Sequence, residues 1–222
     1  MIRRMFLSRI GGVAAIASLR SPADVHADGR ESQAPTSQAV AADTRFQPAR
    51  HSADDWFDLP GKHRLFFDAL TARGADDAPL FAGNFFNANK NSYGLENGDI
   101  AVVICLRHHA TPFAFNDAIW AKYGAAFSDR INFVDPKTKA APSVNVHAAA
   151  YTDAVKRGIH FAVCDMATHF FAGAAAAKAG ADVDAVYKEL VASTFGNSHF
   201  VPAGIVAVNR AQERGYSIAY VG

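Results

Sequence analysis

Apolar residues along this chain fall into two kinds of run. Short blocks that are apolar at every position read as strands covered on both faces. Longer stretches with apolar residues every three or four positions read as helices. The clearest block is Ile100-Ala101-Val102-Val103-Ile104-Cys105-Leu106. Residues 64–68, 159–164, 199–201 and 216–221 bring the number of strands expected to five. Between them the spacing predicts helices over 80–93, 148–157, 168–178, 183–192 and 203–214. A further helix is expected to be capped by Thr111, with Pro112 at its first position, where a missing N–H costs nothing. Gly124, Gly158, Gly180 and Gly215 stand where these helices should stop. Residues 127–145, with Pro136, Pro142 and several lysines, read as a surface excursion. Strand and helix alternate about five times, which argues a three-layer α/β domain with a mostly parallel sheet.

The first residues follow another logic. Arg3-Arg4 is followed by Met5-Phe6-Leu7, a weakly apolar middle and Val25-His26-Ala27. Residues 1–27 therefore read as a twin-arginine export signal cleaved near Ala27, and the expected location is the periplasm. Residues 28–55, rich in Ala, Ser, Gln, Pro and Asp, read as a disordered linker. The domain then spans 56–222. Removing 1–27 takes four arginines and one aspartate, so the formal net charge passes from +1 to −2. Neither value creates a field for nucleic acid. No apolar run is long enough to cross a bilayer. Two cysteines cannot staple a disulfide scaffold, and lying on parallel strands they are expected to be free.

Ligands of open parallel sheets gather at the carboxyl ends of the strands. Cys164 ends one strand and enters a helix, whose N-terminus favours a thiolate. Asp165 opposes this if its charge points at the sulfur, or removes part of the conflict if it caps the helix. Arg107-His108-His109 end the strand that holds Cys105, and Arg107 or His109 could stabilise a thiolate or persulfide. His108 and His109, as strand neighbours, should point opposite ways. His160 reads as a hydrogen-bonded core residue. His169 is placed to face Cys164 across the first helical turn, so a Cys164/His169/His109 metal or haem site is an alternative. No phosphate-cradle, dinucleotide or serine-hydrolase motif is found.

The runs 158–164 (G-I-H-F-A-V-C), 200–205 (F-V-P-A-G-I) and 212–216 (Q-E-R-G-Y), with 101–123, resemble the DsrE/DsrF-like family in order and spacing. The resemblance covers about residues 62–222. It implies a flavodoxin-like sandwich and homo-oligomers, often trimers or hexamers. It also implies a cysteine persulfide at the position of Cys164, passed to or from a protein or small thiol. Arg107 and His109 would then balance the charge, and neither a cofactor nor a metal is called for. The rival from another class is a small-ligand-binding or assembly protein in which Cys164 is merely packed.

Overall fold

Five short strands lie side by side and all run the same way. In the computed structural model, β1 (His63–Ala69), β2 (Ile100–Leu106), β3 (His160–Cys164), β4 (Ser198–Val201) and β5 (Ser217–Val221) form one sheet. Its order is β4-β3-β2-β1-β5, with every neighbouring pair parallel. The structure describes residues 46–222. The expected signal, 1–27, and most of the expected linker lie outside them. The linker's last residues are structured: Ser52–Phe57 form a 3-10 turn, with Phe57 buried against Phe66 and Tyr216.

Side-chain alternation splits the strands between two cores. Ile100, Val102, Ile104 and Leu106 of β2 face one side, and Ala101, Val103 and Cys105 face the other. The first side is covered by α1 (Ala72–Tyr93), α2 (Asp117–Ile131), α3 (Ala148–Lys156), α4 (Asp165–Ala179) and α5 (Val183–Val191). The second side is covered by α6 (Gly204–Glu213) and the 3-10 turn. This is the expected three-layer α/β fold, consistent with a flavodoxin-like sandwich. After β3 the chain leaves for the first face, and after β4, its neighbour, for the second. Such a divergence opens a crevice at the carboxyl edge of the sheet.

Several boundaries differ from the sequence reading. Helix α1 starts at Ala72, with Thr71 accepting from the Gly74 N–H at 2.9 Å. Its buried stripe is Ala75, Ala78, Ala82 and Phe86, while Leu80 and Phe81 are exposed. Pro79 lies inside it. Proline has no N–H for the Ala75 carbonyl one turn back, and the buried Tyr151 hydroxyl donates to that carbonyl instead, at 2.9 Å. Thr111 does not cap a helix: it lies in a 3-10 turn, His108–Ala114, and its hydroxyl donates to the Leu106 carbonyl. Helix α2 begins later, at an Asn116 cap, and runs past Gly124. That glycine is a close approach rather than a stop: a Cβ there would stand 2.1 Å from the Pro142 carbonyl oxygen. The excursion is also less peripheral than expected. Phe127 is buried, and Asn145 donates to the Phe113 and Phe115 carbonyls, each at 2.8 Å. Helix α4 begins directly after Cys164, not at Thr168. Among the described residues no helix is long and apolar enough to cross a membrane.

Candidate functional site

The crevice where β3 and β4 part holds a cleft of about 410 Å³. Three chain segments line it: Arg107, His108 and His109 after β2, Cys164 and Met166 at the start of α4, and Gly204 with its neighbours at the start of α6. Two of the expected residues, Arg107 and His109, thus meet Cys164 on one rim. A second cavity, about 500 Å³, lies between α1 and α3 and includes Asp76, Asp153 and Arg157. It contains no thiol, and its arginine is engaged by the Gly83 carbonyl and Asn87.

Cys164 is the last residue of β3 and the N-cap of α4, with extended backbone (φ −70°, ψ 111°). The residue is 7% exposed, and that exposure opens on the cleft. The first N–H groups of any helix have no partner within it. Neither Cys164 nor Ala203, the N-cap of α6, supplies a side-chain cap. Two helix N-termini with positive partial charge therefore border the same space.

Arg107 is fixed by Asp68 on β1: Nε donates to Oδ1 at 2.6 Å and Nη2 to Oδ2 at 2.9 Å. This pair raises the guanidinium pKa above its already high value, chiefly through the hydrogen bond, so Arg107 stays charged. The arginine stem lies along α6, where a Cβ on Gly204 would come within 2.4 Å of the Arg107 Cβ. Glycine here is a packing requirement. Sequence reasoning missed Asp68 and Gly204. The signal for Asp68 was a carboxylate directly after the apolar run Leu65-Phe66-Phe67, where it needs a buried partner.

His108 and His109 lie past the strand, not on it. His108 has φ +53°, in the left-handed region. That turn lets the two rings stack, with centroids 4.0 Å apart and planes 12° apart, so they do not point opposite ways. Burial, and then the neighbouring His108, lower the pKa of His109. His169 does not reach the cleft. Its Nε2 faces Asp165 Oδ2 at 3.6 Å and its ring stacks on Tyr187. Among the described residues no three His, Cys, Asp or Glu side chains converge to hold a metal ion, so the Cys164/His169/His109 ligand set is not assembled. His160 is hydrogen-bonded as expected, Nδ1 to His199 Nε2 at 2.9 Å, but half-buried rather than in the core.

Both cysteines are free. Cys105 lies inside the second core, its Sγ 3.9 Å from the Gly204 carbonyl oxygen. Burial first, then Asp68, pushes its thiol pKa well above the ordinary range, so it is no nucleophile near neutral pH. Of the two sulfurs, only that of Cys164 borders the cleft.

No family model matches the chain. No curated protein matches it at a significant level.

Proposed function

We propose that this chain is an exported sulfur-handling protein of the DsrE/DsrF-like type, carrying sulfane sulfur as a persulfide on Cys164. The observation that carries the proposal is the seat of that thiol: Cys164 stands at the N-cap position of α4 and borders a cleft shared with Arg107, His108 and His109. The transfer is a displacement at sulfur. The Cys164 thiolate attacks the outer sulfur of a persulfide R–S–SH. A new S–S bond forms on Cys164, the donor's S–S bond breaks, and R–S⁻ leaves with the bonding electron pair. The proton stays on the transferred sulfur, and no external oxidant or reductant is consumed. Arg107 and the α4 N–H groups offset the negative charge as it moves. Release to an acceptor thiol is the same step in reverse.

Export and self-association belong to the same proposal. Arg3-Arg4 and the small residue at Ala27 support the first. For the second, Met166, Phe170 and Ile205 stand exposed around the cleft mouth. Those apolar walls also favour the other reading, a binding or assembly module with an inert thiol. Mass spectrometry after incubation with a small-molecule persulfide separates the two. The expected result is a gain of one sulfur atom, absent in Cys164→Ala and retained in Cys105→Ala. A folded wild-type chain that gains no sulfur from any persulfide overturns the relay and leaves the binding module.

A further inference from the structure

Asp165 follows Cys164 directly, as the first residue of α4. A carboxylate facing the sulfur would oppose ionisation of the thiol, because like charges disfavour one another. The structure turns the carboxylate elsewhere. The cleft wall passes from Cys164 to Met166 and Ala167 and leaves Asp165 out. Asp165 Oδ1 accepts from the Tyr187 hydroxyl of α5 at 2.7 Å. Asp165 Oδ2 faces His169 Nε2, one turn along α4, at 3.6 Å. The rings of His169 and Tyr187 stack with centroids 3.9 Å apart and planes 5° apart. One carboxylate oxygen is thus held from α5 by a hydrogen bond, and the other lies against His169 on α4 itself.

We propose that Tyr187 and His169 are positioning residues for Cys164, anchoring the Asp165 carboxylate against α5 so that the sulfur at the head of α4 has no negative neighbour aimed at it. This inference rests on reading Cys164 as a thiolate nucleophile. Tyr187 suits the task because its own proton is firmly held: the hydrogen bond to Asp165, and then burial, push its pKa up to about 12. The hydroxyl therefore remains a donor throughout the range in which a thiol titrates. The other groups facing Cys164 are Arg107, His108 and His109 in the cleft, with Asp68 behind the arginine. From α2, Arg130 lies over the Phe170 ring and Asp129 pairs with Lys178, so that helix leaves the Asp165 carboxylate to Tyr187 and His169.

The test is the rate of Cys164 alkylation by iodoacetamide across a pH series, on the purified full chain, with buried Cys105 as internal control. In Tyr187→Phe the midpoint is expected to rise by about half a unit or more, a roughly threefold slower reaction near neutral pH. His169→Gln should give a smaller rise. Adding Asp165→Asn to Tyr187→Phe should return the midpoint to the wild-type value, which loss of packing alone cannot do. Asp165→Asn by itself should leave the midpoint close to the wild-type value; should Tyr187→Phe not fold, a clear fall of the midpoint in Asp165→Asn overturns the inference, because the native carboxylate would then already act on the sulfur. An unmoved midpoint in folded Tyr187→Phe overturns the inference, as does a shift that persists in the double variant. A chain that gains no sulfur, yet whose midpoint follows Tyr187 and Asp165, overturns the relay alone.

Discussion

Arg107 reaches the cleft charged and already paired with Asp68. Its charge-assisted bonds to Asp68 are of the strong bidentate kind, and Asp68 is almost fully buried. Removing the cation strands that carboxylate in a poorly hydrated place. Arg107→Met is therefore expected to destabilise the fold by about 3 kcal/mol, since breaking one side of a buried pair leaves a lone charge. Urea denaturation measures this. Adding Asp68→Asn should recover much of the loss, and an additive double variant would contradict the pairing. Sequence pattern located Arg107 and Cys164 on one rim because each stands at the carboxyl end of a mostly apolar strand. It did not pair Arg107 with Asp68, because which strands lie side by side is a matter of tertiary arrangement that spacing along the chain does not state. His169 was misassigned for a related reason. Its distance along α4 from Cys164 was legible, but not that Tyr187, on another helix, offers the ring it stacks on.

Among the elements, the strands were the most legible, since burial on two faces leaves continuous apolar runs. Helix boundaries were less so. The first turns of α1 read Ala-Arg-Gly-Ala-Asp-Asp-Ala-Pro, with no bulky apolar stripe and a proline that ordinarily marks a helix start. The stripe exists, but it is built of alanines lying close to the sheet, and the proline is accommodated from outside the helix by Tyr151. This accommodation can be tested. Tyr151→Phe leaves the buried Ala75 carbonyl without a donor and should cost about 1–3 kcal/mol in a thermal or urea melt. Placing Pro79→Ala beside it restores a helical N–H and should regain part of that loss. No regain would mean that the hydroxyl serves some other need.

For the molecule as a whole, acid should be damaging well before the carboxylates protonate. His109, His147, His160 and His199 all have folded-state pKa values below the ordinary 6.5, with burial the leading cause in each, and His199 falls to about 4. At His147 burial outweighs the Asp76 carboxylate, which faces its Nδ1 at 3.3 Å and favours the charged ring. The unfolded chain, whose histidines titrate normally, binds these protons first. Stability is therefore full above about pH 6.5 and falls as pH drops from there toward 4. His199 alone should account for about 2 kcal/mol of that loss, allowing for solvent around a half-exposed ring. Urea midpoints at a series of pH values check this, and His199→Gln should flatten the slope. The architecture was largely readable at this scale because five covered strands alternating with helices admit few arrangements. The cleft was not, because it exists only where β3 and β4 send the chain to opposite faces.

The burial of Cys105 beneath the Gly204 carbonyl gives the chain a native gauge of its own integrity. On the proposed reading of Cys164 as the nucleophile, a compact chromogenic disulfide reagent should find one sulfur per folded molecule and two per denatured one. The colour it releases would thus count intact and collapsed molecules in the same sample, with no label engineered in.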